Sequence, residues 1–447
     1  MFGAFEPLLE EHDYAVREIE GTVPEELRGT LYRVGPGKWQ VGSTPLDCLF
    51  DGDGMVSRFT IADGGITFRN RYVNTPNYRA RTMRRPGVGS PVPGQRYPLP
   101  PANTANTNMS FHAGDLHALW EGGRPYRLDP DSLDTFGEHD FDGRLKGLGA
   151  WSAHPRWCPE TGELFNFGTR FFPTPGLNCY KVSPGGELTQ LASLRFKKIG
   201  WNHDFALTSR HLVFVLSPML PRLGKIMRGG SFVDALDYRP ELPTRFVLVP
   251  REGGKARIVE HDALICTHIT NAYTDGDDTV VELIEYPDFD RLMRDIQNFR
   301  DTFHEPRPNR LMRYRITGSK VIAEEITSIP CELPQYDWRR STLEHRYSYL
   351  SAGDSGLYDQ IVKIDHRTGR TLAPRLADLV GEPIFVPRSP DAAEDDGWLL
   401  VVTYDAASHR SRLVILDARD LSTLATAHLE HHLPFGFHGT FTRRVPS

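Results

Sequence analysis

Trp398-Leu399-Leu400-Val401-Val402-Thr403-Tyr404 and Arg412-Leu413-Val414-Ile415-Leu416-Asp417 are two short runs of β-branched, aromatic and leucine side chains with a polar stretch between them. Such residues fit a pleated, buried surface, and runs this short bounded by turn residues read as strands. The same unit recurs at Thr30 to Val34, Gly65 to Val73, Leu212 to Leu216, Thr244 to Val249 and Thr279 to Ile284. Turn signals lie between them: Ala62-Asp63-Gly64-Gly65, Pro184-Gly185-Gly186, Thr274-Asp275-Gly276-Asp277 and His366-Arg367-Thr368-Gly369. Their spacing is that of consecutive antiparallel hairpins.

The 447 residues exceed what one core usually serves, so either several domains or one radially repeated architecture is required. The expectation is a single all-β domain over residues 1–447. A seven-bladed β-propeller, at roughly 60 residues per blade, would use this length and hide its strand edges by radial repetition. No WD or kelch-like repeat marks the blades, so their number is not set by the sequence itself. Tyr286 to Phe303 breaks the pattern and predicts a helix or long excursion.

The net charge of -6 comes without an extended basic run, which excludes nucleic acid as a natural partner and gives no support to an acidic substrate. Five cysteines, Cys48, Cys158, Cys179, Cys266 and Cys331, are scattered without a paired motif, against a disulfide framework or a thiolate zinc site. Met1 to Tyr14 carries acidic residues where an export signal is basic, so a cytoplasmic location is expected. No run of roughly 18 apolar residues could span a bilayer as a helix. Residues 216–236 mix Met219, Leu220, Leu223, Ile226 and Met227 with Arg222, Lys225 and Arg228. This basic amphipathic pattern fits either a core-covering loop or a peripheral membrane contact through which an apolar substrate enters.

Most of the 17 histidines, including His139, His211, His366 and His409, have polar neighbours and read as surface residues. Four differ: Trp151-Ser152-Ala153-His154-Pro155, Trp201-Asn202-His203-Asp204-Phe205, Cys266-Thr267-His268-Ile269 and Phe435-Gly436-Phe437-His438-Gly439. Neutral imidazole suits iron, zinc, copper or nickel, and strand ends can converge on an axis although 49, 65 and 170 residues separate these four in sequence. Each taken alone reads more readily as a satisfied core histidine than as a ligand.

Gly29-Thr30-Leu31-Tyr32-Arg33-Val34-Gly35-Pro36-Gly37, Phe50-Asp51-Gly52-Asp53-Gly54-Met55-Val56, and then in order His154-Pro155, His203-Asp204-Phe205, His268 before Asn271-Ala272-Tyr273, and Phe437-His438-Gly439 resemble the carotenoid cleavage oxygenase family. The resemblance spans nearly the whole chain. It implies a seven-bladed propeller with a helical and loop cap over an axial metal, and one Fe(II) per chain held by His154, His203, His268 and His438. It also implies glutamates behind the ligands at Glu121, Glu332 and Glu382, holding His203, His268 and His438 and leaving His154 without a carboxylate. Metal-bound histidines commonly give their second nitrogen to such a group.

The activity implied is cleavage of a conjugated carbon-carbon double bond by O2 into two carbonyl products, with no protein general base and an apolar polyene as substrate. Thr107 stands where relatives place a small residue over an open metal position, although an ordinary turn threonine fits equally. An aromatic-lined tunnel would draw on Phe111, Trp151, Phe171, Phe172, Trp201, Phe303 and Phe437, none separable from core aromatics by sequence. Stilbene-cleaving members usually carry Lys before the first glutamate, whereas this chain has Trp120, so an apocarotenoid or carotenoid is favoured and a stilbene is the alternative. A non-catalytic propeller with merely buried histidines is the reading from another class.

Overall fold

In the strand His211–Leu216, Leu212, Phe214 and Leu216 pack toward one neighbouring sheet, Val213 and Val215 toward the other. Strand side chains alternate sides, so a strand sandwiched between two sheets is apolar on both and its run reads as continuous. A computed structural model describes residues 2–42, 44–83, 103–147, 149–222, 224–225, 232–302, 305, 307–354, 356 and 358–446. It arranges such strands as a seven-bladed β-propeller.

Blade 1 contains Gly29–Lys38, Asp53–Ala62 and Gly65–Tyr72. Blade 2 contains Asn108–His112, Asp115–Leu119, Tyr126–Leu128 and Thr135–Glu138, and blade 3 Arg156–Trp157, Leu164–Arg170, Gly176–Val182 and Leu188–Arg195. Blade 4 holds Ala206–Leu207, His211–Leu216, Thr244–Pro250 and Arg257–His261, and blade 5 Cys266–Asp275, Asp278–Glu285, Arg310–Thr317 and Lys320–Thr327. Blade 6 runs through Cys331–Tyr336, Tyr347–Ala352, Gln360–Asp365 and Thr371–Leu372, and blade 7 through Leu379–Val380, Ile384–Pro387, Gly397–Asp405, Arg410–Asp417 and Thr423–His428.

The ring closes twice. The C-terminal strand Gly439–Thr442 pairs with Gly29–Lys38 as the innermost strand of blade 1, Arg33 opposite Gly439. The N-terminal strand Glu18–Gly21 completes the outside of blade 7 against Thr423–His428. Among the described residues the apolar core falls into seven clusters, one in each gap between neighbouring blades. Sequence turns act as expected: Asp63 and Gly64 join Asp53–Ala62 to Gly65–Tyr72 with φ of 51° and 72°, the left-handed pair of a tight hairpin turn.

The cluster between blades 6 and 7 extends into a cap built from Trp39, Leu46, Leu49, Met219, Leu236, Leu292, Ile296 and Phe299. Part of the expected excursion is the helix Phe289–Gln297, whose Asp288 side chain accepts from the Arg291 N–H, followed by Phe299–Thr302. Within 216–236, Met219 is 1% exposed and paired in the strand Met219–Pro221, so it belongs to the core and not to an interfacial patch. Leu220 is half-buried, while Leu223, Ile226, Met227 and Arg228 lie outside the described residues, as does Phe303. All five cysteines are buried and free, and among the described residues no helix is long and apolar enough to cross a membrane.

Candidate metal centre

In a propeller every innermost strand starts at the same end of the axis. The residues at those starts are therefore neighbours in space whatever their separation in sequence. Thr107 precedes Asn108–His112, His154 precedes Arg156–Trp157, His203 precedes Ala206–Leu207, His268 lies in Cys266–Asp275, Glu332 in Cys331–Tyr336, Glu382 precedes Ile384–Pro387 and His438 precedes Gly439–Thr442. One position repeated round the ring thus supplies four imidazoles, two carboxylates and a threonine. Glu121 joins them from the loop that follows Asp115–Leu119 in blade 2.

The Nε2 atoms of His154 and His203 face each other at 3.0 Å, those of His203 and His268 at 3.2 Å, and those of His268 and His438 at 3.2 Å. Five of the six imidazole pairs have ring centroids 4.4–5.2 Å apart, and only His203 with His438 makes no such contact. The four rings thus surround one point, with a ligand atom of each within 4.8 Å of the others.

Three of the Nδ1 atoms turn to glutamates. His203 Nδ1 lies 3.1 Å from Glu121 Oε2, His268 Nδ1 2.6 Å from Glu332 Oε2 and His438 Nδ1 2.9 Å from Glu382 Oε1. Among the described residues no carboxylate pairs with His154, so the expected assignment of glutamates to histidines matches the geometry. A carboxylate only accepts, so each of these Nδ1 atoms carries the hydrogen and each Nε2 presents a lone pair. Among His203, His268 and His438, lone pairs facing one another at 3.2 Å with no donor between them repel. A cation at their centre removes the conflict. Nitrogens this close together could share one first-row divalent metal, which imidazole suits.

Electrostatics point the same way. Burial, reinforced by the three neighbouring imidazoles, holds His154 well below the usual range and therefore neutral. Burial alone would raise the Glu332 carboxyl, but His268, the Thr267 hydroxyl and the Leu333 N–H outweigh it and bring it down to about 2. Burial opposes charge on His268 too, yet Glu332 prevails and raises it. A proton and a cation thus compete for His268 Nε2. Glu382 is lowered against its burial by His438 and Arg33.

The remaining sequence candidates scatter. Trp201 and Phe437 stand beside the imidazoles, with Trp201 5.5 Å from His203 by ring centroids. Trp201 also donates its indole N–H to Glu121 Oε2 at 3.0 Å, a role beyond lining a wall. The Thr107 carbonyl accepts from the His438 N–H, and its hydroxyl donates to Asn106. Trp151 stacks between Phe141 and Tyr180 in the gap between blades 2 and 3, and Phe111 packs on the cluster between blades 1 and 2. Phe171 lies against Phe232, while Phe172 is 70% exposed to water. Phe50, not singled out from sequence as a lining residue, lies 6.4 Å from Trp201 and 5.8 Å from Phe437 and links the two. Its position after Leu49 in a short helical turn carries no signal of this.

His366, read as a surface residue, retains only 5% side-chain exposure and forms a second cluster with Glu282 and His345. His139 forms a third with Asp115 and His117 and is half-buried, as is His211, whereas His409 is exposed. The Nδ1 partners separate the Glu282 cluster from the axial one. His366 Nδ1 faces the Arg313 guanidinium at 3.3 Å and His345 Nδ1 faces the Asn271 amide nitrogen at 3.3 Å, both donors. The hydrogens of these rings therefore sit on Nε2, where the Ser348 hydroxyl lies 2.9 Å from His345 and 2.8 Å from His366, and no imidazole lone pairs converge.

The sequence profile of the family described as retinal pigment epithelial membrane protein matches residues 5–443. The chain is 35% identical to an apocarotenoid-15,15'-oxygenase from Synechocystis, over 97% of this chain and 94% of that protein. It is 30% identical to Resveratrol cleavage oxygenase 1 of Aspergillus fumigatus, covering 98% of this chain and 94% of that one. The Synechocystis apocarotenoid oxygenase structure superposes with a TM-score of 0.92 at 32% identity, covering 99% of this chain and 98% of that one. A structure of the same enzyme described as cobalt-substituted gives a TM-score of 0.91 at the same identity and coverage.

Proposed function

Because the chain belongs to the retinal pigment epithelial membrane protein family, we propose that it binds one iron(II) through His154, His203, His268 and His438 and cleaves a conjugated double bond of a carotenoid or apocarotenoid with O2. The observation that carries this reading is the convergence of four imidazole Nε2 atoms, neighbours 3.0–3.2 Å apart, with three of the four rings backed by a glutamate. Bound iron(II) would supply the activation of O2, which the side chains of this protein cannot.

The chain does the rest. Glu121, Glu332 and Glu382 fix the imidazole orientations and balance charge. Phe50, Trp201 and Phe437 would offer an apolar surface near the histidines on which an extended polyene can pack. Splitting C=C with O2 into two C=O groups uses every atom and moves no net proton, so no acid or base is needed beside the centre.

Relatives named for resveratrol and isoeugenol show that the same fold serves phenolic substrates in other proteins. Trp120 offers no group to take up a phenolic proton, which favours the carotenoid class here. The test is to load the protein with Fe(II), supply carotenoids, apocarotenals and hydroxystilbenes under isotopically labelled O2, and read the products by mass spectrometry. Labelled carbonyl products from apocarotenals or carotenoids are expected. Turnover of hydroxystilbenes alone, or by metal-free protein, would contradict the reading.

A further inference from the structure

The three glutamates behind the histidines differ in what faces their far side. Glu332 receives the Thr267 hydroxyl at 2.6 Å and the Leu333 N–H at 2.8 Å, and Glu121 receives the Trp201 indole at 3.0 Å. These donors are neutral. Glu382 alone meets a full charge: Arg33 donates to its Oε2, while Gln335 and the Gly439 N–H supply bonds of 2.8 and 3.1 Å. Arg33 is 5% exposed and Glu382 3%. A second Arg33 N–H reaches the Phe437 carbonyl at 2.8 Å, beside His438. The slot is shaped for this: a Cβ on Gly439, directly across the strand pair, would lie 2.6 Å from Arg33 Cδ and 2.3 Å from the Tyr32 carbonyl oxygen.

Net charge inside a protein is costly, so the sum over the group matters more than any one pair, with Glu121, its side chain 24% exposed, weighing less than the buried Glu332 and Glu382. The nearby Arg156–Asp204 pair adds nothing to that sum. Three carboxylates, one guanidinium that stays protonated in proteins and a divalent ion total zero, and the same group around a trivalent ion totals one positive charge. On this count, and resting on the iron reading above, we propose that Arg33 is a positioning residue that sets the oxidation state of the centre. Acting through Glu382, it supplies the positive charge that balances the site with the divalent ion and penalises the trivalent one. It touches neither substrate nor metal.

The test is a redox titration of the full-length, iron-loaded protein, followed by the ferric electron paramagnetic resonance signal. Arg33→Gln leaves one uncompensated negative charge and should raise the ferric-to-ferrous ratio at a fixed potential at least tenfold, about 59 mV for a one-electron couple. Arg33→Lys, which keeps the charge, should restore the ratio toward the unsubstituted value. Glu382→Gln should move it in the opposite direction, and the double variant Arg33→Gln with Glu382→Gln should return close to the starting point. Should Arg33→Gln not fold, the shift of Glu382→Gln toward ferrous iron and the double variant carry the same charge arithmetic. An unchanged ratio in iron-loaded single variants overturns the inference and leaves the iron reading standing. Failure of the unsubstituted protein to take up iron overturns both.

Discussion

At the scale of single residues, what decides chemistry here is which nitrogen of each imidazole carries hydrogen, and that is decided by the partner of the other nitrogen. Glutamates at Nδ1 turn His203, His268 and His438 into lone-pair donors toward the axis, whereas Arg313 and Asn271 turn His366 and His345 into hydrogen donors toward the Ser348 hydroxyl. Replacing His268 or His438 with Ala should therefore reduce bound iron from one per chain to near zero, measured by elemental analysis. Retention of a full equivalent would contradict the assignment. Glu332→Gln keeps a hydrogen-bond acceptor but removes the charge, and should weaken iron binding by roughly 10–100-fold in a competitive chelator titration.

The seven side chains of the centre were legible in the sequence only through family resemblance, since taken singly each histidine read more readily as a core residue than as a ligand. Thr267, Gln335, Arg33 and Phe50 were not legible. Their contacts depend on the register between blades, which one strand's sequence does not contain. His366 was misread for a related reason: its neighbours Asp365 and Arg367 are polar, but the end of the strand Gln360–Asp365 tucks against blade 5, where Glu282 and Arg313 await it.

At the scale of elements, strands and turns were the easiest part to read. Val, Ile, Leu and aromatic runs lie between Gly and Asp turns, and Thr244 to Val249 and Arg412 to Asp417 fall within the strands Thr244–Pro250 and Arg410–Asp417. The contact between blades 5 and 6 makes a prediction of its own. His345 is pushed down to about 4 by burial, with Glu282 opposing the shift. In the unfolded chain the same ring titrates at about 6.5, so between these values the unfolded state binds a proton that the folded state refuses. Stability from this residue is complete above the higher value and is lost as pH falls toward the lower one, by about 3 kcal/mol. Urea unfolding between pH 7 and pH 4.5 should show this loss, and His345→Gln should flatten the dependence. Identical slopes for the two proteins would contradict it.

At the scale of the whole molecule, the ring is held shut by strands from both ends of the chain. Gly439–Thr442 gives blade 1 its innermost strand and, one residue earlier, places His438 on the axis. Ring closure and site assembly are thus one event. A chain ending at Phe437 should melt at a lower temperature and hold no iron, and a truncated protein that melts like the full chain with iron bound would refute the coupling. The number of blades was not legible from any repeat. It follows from seven sheets each needing an apolar neighbour on both faces, a property of the assembled ring.

Anomalous scattering at the iron edge from crystals of Fe(II)-loaded protein tests the central claim most directly. A single strong peak equidistant from Nε2 of His154, His203, His268 and His438, with none at Glu282, His345 and His366, is the expected result. Density without an iron signal at the axis, or a peak at another cluster, would contradict it.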